Sequence, residues 1–307
     1  MDRKSLIKDI ERIRNSKVLV YFLGPKSNIA QDAVEVLFNH LRIIGKVEKL
    51  DLFLHTFGGI LEIPPKIVSI MREFSNHFSV LIPYRAHSAG TLIAIGADEI
   101  VMGKMAELTP VDPQTRSPLN PKDPKGEITF VAVQDLISFF KFVDTVGVEK
   151  KEEILKSLLE NLHPLVIGTV NRSWSLIKHI MNRLLTHSNY TNEEKEKIIE
   201  LLSGGLPSHN YLITRDEAKE ILKEKVVFAS EELDRLMWDL YIQYMILFNP
   251  NVPFIFDSQF NREVKKVNIA SIETLNSLSL FIQIFDKKVE DGKIIEVPIA
   301  GGWFDFK

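Results

Sequence analysis

Along the first hundred residues the hydrophobic pattern alternates between two periods. Lys17 to Leu23 (KVLVYFL) is an unbroken apolar run of strand formers ended by Gly24-Pro25. Leu50 to His55 (LDLFLH), Phe78 to Pro83 (FSVLIP) and Glu99 to Met102 read as three further strands. Between them the period lengthens. Ala30, Val34, Leu37, Leu41 and Ile44 recur at three- and four-residue spacing, on one helical face closed by Gly45. Ile63, Ile67, Ile70 and Phe74 do the same in a helix predicted over Ile60 to Phe74. Pro64 and Pro65 fall near its first turn, where a missing N–H is tolerated. Ser88 to Gly96 is a short apolar helix. Nearly continuous apolar strands alternating with helices predict a parallel sheet covered on both faces, hence an α/β fold.

The texture then changes. Thr115 to Glu127 (TRSPLNPKDPKGE) is too polar to pack and reads as a surface loop or lid. Helical patterns follow at Phe130 to Val146, Glu149 to Leu162, Leu165 to Leu185 and Asn192 to Leu202, before a breaker at Gly204-Gly205-Leu206-Pro207. Thr214 is the expected N-cap of a helix reaching Leu222. Val226 to Phe228 returns to strand, and residues 230 to 247 form another helix. From Val267 the tail is β-rich, with strands at Leu278 to Asp286 and Ile294 to Ile299 around a turn at Glu290-Asp291-Gly292. The expected division is a main α/β domain over 1–229 and a small α+β appendage over 230–307.

Composition narrows the function. Among 307 residues there is no cysteine, which removes disulfides, thiolate metal sites and cysteine nucleophiles. With 38 basic against 41 acidic side chains the formal charge is −3, so nothing electrostatic points to nucleic acid as a partner. No apolar run reaches the roughly 18–20 residues that span a bilayer. The start, Met1 to Ile13, is charged and amphipathic, unlike a secretory leader. A cytoplasmic protein without a transmembrane segment is expected. No zinc spacing, phosphate loop or nicotinamide fingerprint occurs, so no metal and no cofactor is expected.

The chemistry concentrates at strand-to-helix junctions, which in an open parallel sheet lie where ligands bind. One reads His55-Thr56-Phe57-Gly58-Gly59, and the next Arg85-Ala86-His87-Ser88-Ala89-Gly90-Thr91. A glycine pair after a strand lets backbone N–H groups face outward as an anion site, although it could equally be a plain tight turn. A serine opening a helix sits beside free N–H groups and the positive end of the dipole, although it could serve only as an N-cap.

In combination these pieces resemble a known family. The strand with its glycine pair (LDLFLHTFGG), the serine turn (HSAGTLIAIGADEIVMG), LTPVDPQ at 108–114 and SHNYLITRDEAKEI at 208–221 are similar to the serine dehydrogenase proteinase family of the Clp/crotonase fold. Signal peptide peptidase A and the Clp proteolytic subunit are its relatives. The resemblance implies a serine peptidase acting on a peptide or protein substrate, and members of this fold assemble, so a homo-oligomer is expected, with the helices at 150–202 as interface candidates. Ser88 would be the nucleophile, and the N–H groups of Gly59 and Ala89 the oxyanion hole. In the Clp subunit the base is a histidine at a place that aligns with Asp112, and its carboxylate partner aligns with Asn210. Exchanging the two roles gives Ser88, His209 and Asp112, a chemically complete triad whose chain order is immaterial. The rival is a serine–lysine dyad using Lys141, which needs a desolvated lysine; Lys104 and Lys125 are poorer candidates. Phe57 in place of a proline, and Asn210 and Leu212 in place of an aspartate and a proline, depart from the family pattern. They favour a second reading, a catalytically inactive peptide-binding or scaffold member of the fold.

Overall fold

The computed structural model describes residues 2–115, 117–147, 149–290 and 293–306. Its elements run, in order, α1 (Arg3–Arg14), β1 (Lys17–Leu23), α2 (Asp32–Ile44), β2 (Val47–His55), α3 (Pro64–Phe74), β3 (Ser75–Ile82), β4 (Arg85–Ala86), α4 (Ala89–Gly96), β5 (Glu99–Met102) and β6 (Glu107–Leu108). Next come β7 (Gln114–Thr115), β8 (Val131–Ala132), α5 (Val133–Thr145), α6 (Lys151–Asn161), α7 (Pro164–Leu184) and α8 (Asn192–Glu200). The chain closes with β9 (Ile213–Thr214), α9 (Arg215–Leu222), β10 (Val226–Phe228), α10 (Glu231–Leu247), β11 (Ile255–Asp257), β12 (Arg262–Glu273), β13 (Leu278–Glu290) and β14 (Lys293–Phe306). Two compact units result: Met1–Leu108 with Thr214–Lys307, and Thr109–Ile213.

The first unit is built on one large mixed sheet in the order β10-β5-β3-β2-β1-β12-β13-β14, with β11 on β12. From β10 to β1 all pairs are parallel, as the apolar runs require. Strand β1 then pairs antiparallel with β12, from Val20 opposite Glu273 to Leu23 opposite Ala270. The α/β class with helices on both faces is thus the observed architecture. One face carries α1 and α10. Leu6, Ile7 and Ile10 of the first, with Leu236, Leu240 and Tyr244 of the second, pack on Val18, Phe22, Phe53 and Leu81.

The tail does not form a separate appendage. The expected boundary at 229/230 falls inside the first unit, because α10 supplies part of its core and β12 to β14 extend its sheet. The physical reason lies in β1, six of whose seven residues are buried. Without β12 it would be a bare apolar edge, which natural sheets avoid. Another boundary moves as well: α3 begins at Pro64 and not at Ile60. The Ile60 N–H donates to the Ile29 carbonyl at 2.9 Å in the bridge between residues 29 and 59, and residues 61–62 form a turn before the helix. The turn expected at 290–292 lies partly outside the described residues, since Asp291 and Gly292 are not among them.

In the second unit β7 and β8 form a short antiparallel ladder. The polar stretch between them is closed by a Lys122–Ile128 bridge and an Asp123 turn whose carboxylate accepts from the Lys125 and Glu127 N–H groups. One of its core clusters gathers Val133, Leu162, Val166 and Val170. Helix α8 starts with a capping box between Thr191 and Glu194. Among the described residues no helix is long and apolar enough to cross a membrane.

Candidate active site

Ser88 occupies the N-cap position of α4 with φ 49° and ψ −104°. A non-glycine residue held at positive φ costs about 1–3 kcal/mol and persists only where its surroundings over-determine it. Those surroundings are visible. The Thr56 N–H donates to the Arg85 carbonyl (2.9 Å), the His87 N–H to the Thr56 carbonyl (3.1 Å), and the Gly90 N–H to the His87 carbonyl (2.7 Å). A Cβ at Gly90 would lie 2.6 Å from Thr56 Cγ2, so the turn closes this tightly only with glycine there. The Ser88 side chain makes no capping hydrogen bond to its helix. Capping is therefore not the work of this hydroxyl.

The first glycine of the pair, Gly58, packs directly against that serine. A Cβ added at Gly58 would lie 3.2 Å from Ser88 Cβ and 3.8 Å from its Oγ, and Gly58 has φ 115°. The Thr56 hydroxyl oxygen accepts from the Gly58 N–H at 3.0 Å and fixes the loop. Gly59 forms a parallel bridge with Ile29, made by the Ile29 N–H to the Gly58 carbonyl (2.8 Å) and the Ile60 N–H to the Ile29 carbonyl (2.9 Å). Successive residues on an extended strand direct their amides to opposite sides, so the Gly59 N–H points away from Ile29. Ala89 is the first residue of α4, and its N–H belongs to the first turn, which has no intrahelical acceptor. Both expected oxyanion donors thus belong to main-chain segments flanking Ser88.

Behind the turn lies a charged clamp. Glu107 on β6 accepts from His87 Nε2 (2.9 Å) and from Arg85 Nε (3.0 Å). The Arg85 guanidinium also stacks over Tyr84 and Phe57. His87 is thereby fixed by a carboxylate next to the serine. His55 is different: its Nδ1–H donates to the Leu23 carbonyl at 2.9 Å, its buried Nε2 has no hydrogen-bond partner among the described residues, and its ring stacks on Phe22. Burial pushes its pKa down to about 4, so it is a neutral packing residue near pH 7.

The other expected residues, Lys104 apart, belong to the second unit. Asp112 is buried, and burial pushes its carboxyl pKa up against the opposing pull of the Gln134 N–H and of His209. Of the adjacent pair 209 and 210, His209 is half-buried and electrostatically coupled to Asp112, whereas Asn210 is exposed. Among the described residues no hydrogen bond joins His209 to Asp112, and His209 Nδ1 is buried without a partner. Lys141 lies exposed on α5. Lys104 is tied to Glu231 at 2.7 Å. The sequence reading missed Thr56, Ile29 and the Arg85–Glu107 clamp. Their roles come from contacts that span up to 31 residues of chain, for which no local spacing signals.

A serine on a strained strand-to-helix turn with a glycine packed against it, at the ends of parallel strands, is a geometry in which a side-chain hydroxyl can serve as a nucleophile. Comparison with known proteins adds to this picture. Residues 1–122 match the family model described as ClpP-like SDH-type serine proteinase. Two uncharacterized proteins of Methanocaldococcus jannaschii are similar over more of the chain. One is 27% identical over 252 residues, 78% of this chain and 79% of its own. The other is 28% identical over 237 residues, 72% and 70% respectively. Among solved structures, the 1510-N membrane-bound stomatin-specific protease aligns over 72% of this chain and 85% of its own, with 16% identity and a TM-score of 0.42. ClpP1 from Listeria monocytogenes aligns over 73% and 98%, with 13% identity and a TM-score of 0.38.

Proposed function

We propose that this protein is a serine peptidase in which the Ser88 hydroxyl attacks the carbonyl carbon of a peptide bond. The hydroxyl proton passes to a base, the tetrahedral oxyanion rests on the Gly59 and Ala89 N–H groups, and the C–N bond then breaks as the base returns its proton to the leaving amine. Water repeats the sequence on the acyl-serine. The observation that carries this reading is the backbone of Ser88, held at φ 49° with Gly58 against it. Each oxyanion donor of this type is commonly worth about 10²–10³ in rate.

For the base we assign His209, with Asp112 as its carboxylate partner. Support comes from the electrostatic coupling of those two groups and from the exposure of Asn210 beside them. Lys141 is the alternative; its exposure within its own unit disfavours it, since a lysine base must be desolvated. The active form we take to be a homo-oligomer, to be measured by light scattering. One observation favours a second reading, a peptide-binding scaffold without activity: His209 and Asp112 are not hydrogen-bonded to each other. Treating the protein with a biotinylated alkyl fluorophosphonate and mapping the adduct by peptide mass spectrometry separates them. A peptidase is labelled at Ser88, and Ser88→Ala removes that adduct. His209→Ala abolishes it if His209 is the base, and Lys141→Ala if the lysine is. No adduct at Ser88 in the assembled wild type favours the scaffold.

A further inference from the structure

A second serine–histidine pair lies at the end of the sheet opposite the Ser88 turn, on the loop joining β12 to β13. His40 of α2 is almost wholly buried there, with its Nε2 2.8 Å from the Ser279 hydroxyl and its Nδ1 2.8 Å from the Ser277 hydroxyl. Ser279 donates to Asp305 Oδ1 at 2.5 Å, and Thr274 Oγ1 lies 2.8 Å from the Ser277 hydroxyl. The direction of every proton in this chain follows from its end. An ionised carboxylate only accepts, so the Ser279 hydrogen goes to Asp305 and Ser279 must accept from His40 Nε2–H. The neutral imidazole then has a bare Nδ1, to which Ser277 donates, and Thr274 in turn donates to Ser277. Burial holds the His40 pKa down at about 4, against the upward pull of Asp305, so the neutral tautomer is the one present near pH 7.

Ser277 also lines a cavity of about 260 Å³ together with Asp2, Arg3, Lys4, Glu273 and Phe306. The two acidic and two basic groups cancel, so the cavity offers nothing net to an ion, and its size suits a small molecule. We propose that Ser277 is a second electrophile-reactive serine, with His40 Nδ1 as its proton acceptor, taking small neutral phosphonyl or acyl donors. With a fluorophosphonate, the Ser277 Oγ–P bond forms and the P–F bond breaks. Fluoride leaves with the bonding pair, and the hydroxyl proton moves to His40 Nδ1. The resulting imidazolium keeps its Nε2–H on Ser279, which Asp305 backs with its charge. With an activated ester, the Oγ–C bond forms, the ester C–O bond breaks, and the departing alkoxide takes the proton back from His40. An imidazole of so low a basicity drives proton transfer weakly, so this serine reacts with activated donors and more slowly than a tuned catalytic one.

The test uses the full-length Ser88→Ala protein and diisopropyl fluorophosphate, a compact neutral probe, with adducts located by peptide mass spectrometry. The expected result is an adduct on Ser277, absent in Ser88→Ala/Ser277→Ala and reduced about 10²-fold in Ser88→Ala/His40→Gln. A role confined to pinning the loop to α2 would change the unfolding temperature of these variants without producing an adduct. No Ser277 adduct in folded Ser88→Ala, or an undiminished one in the His40 variant, overturns the proposal. Should the His40 variant not fold, Asp305→Asn keeps an acceptor for Ser279 and removes the charge. It should slow the adduct severalfold, and an unchanged rate is equally fatal. Labelling of Ser88 in Ser277→Ala reads the peptidase assignment independently.

Discussion

Replacing Gly59 with alanine tests both the local fold and the proposed oxyanion site. The added Cβ would sit 2.2 Å from the Ile29 carbonyl oxygen, 2.4 Å from its nitrogen and 2.8 Å from its carbonyl carbon. All three are backbone atoms, so no change of rotamer relieves the overlap. An ordinary contact needs about 3.4 Å or more, so the 56–60 segment must retreat from residue 29 by roughly 1 Å. That movement breaks the two hydrogen bonds of the bridge, at 2.8 and 2.9 Å. Ile29 is fully buried, so water cannot replace them. At about 0.5–1.5 kcal/mol each, with an overpacking cost of about 1–3 kcal/mol and partial relief by the movement, the expected loss is about 2–4 kcal/mol. Urea denaturation followed by circular dichroism measures it. The same retreat displaces the Gly59 N–H, so Ser88 labelling in the folded variant should slow by about 10². Stability within about 0.5 kcal/mol of wild type would refute the described approach to Ile29. A destabilised variant labelled at the normal rate would remove Gly59 from the oxyanion hole. Gly168→Ala, in α7 with nothing within 4 Å of the added Cβ, is the control and should stabilise by about 0.5–1 kcal/mol.

Three further outcomes follow from buried charge and from the sheet. Lys225 is buried and donates to the Ile95 and Ala97 carbonyls, both at 2.7 Å, at the end of α4. Lys225→Met should leave both carbonyls unsatisfied and cost about 2–4 kcal/mol in thermal or urea unfolding, and a neutral result would refute that account. Asp98 is raised by burial but more strongly lowered by Arg72 and by the Phe78 N–H, and Glu99 is likewise raised by burial and lowered further by Arg14 and Lys49. Depressed carboxyls stabilise fully above their unfolded values of 3.8 and 4.5 and lose that contribution as pH falls through the folded values. Stability should therefore decline below about pH 5, and Arg72→Gln should flatten the Asp98 part of that decline in a pH series of unfolding curves. Truncation before β12 removes the antiparallel partner of β1 and the Glu273 carboxylate that accepts from Tyr244 and Arg3. Such a chain should fail to give a cooperative melting transition; a soluble, cooperative product would restore the tail as an independent appendage.

How much could be read in advance divides along physical lines. Strands β1, β2, β3 and β5 were legible because a strand buried on both faces must be apolar throughout. The start of β12, with Arg262, Glu263, Lys265 and Lys266 among its first residues, carries no such signature, so the β-rich tail was read only from Val267 onward. Its partner was illegible for a deeper reason. Apolar pattern says that β1 is buried, not which strand lies beside it, and the chain supplies β12 some 240 residues later. The helix expected from Ile60 shows the complementary failure, in which a tertiary hydrogen bond from Ile60 to Ile29 overrides a local period.

The same division runs through the site. Ser88, Ala89 and the glycine pair stand out in the sequence because their chemistry is that of the main chain, and main-chain geometry is written locally in small residues. Gly90 is needed against Thr56, Gly59 against Ile29, and Gly58 against Ser88 itself. A base carries no comparable constraint. His209 and Asp112 are separated by nearly a hundred residues, and any imidazole or amine brought to the right place would serve. The positive φ of Ser88 sharpens the contrast. A turn that gave its hydroxyl only a capping role would have no reason to hold that residue outside its comfortable conformation, with Thr56, Gly90 and the Arg85–Glu107 clamp all arranged around it. Strain so locally reinforced is the observation on which the proposed nucleophilic role of the serine rests, and the proposed base is secondary to it.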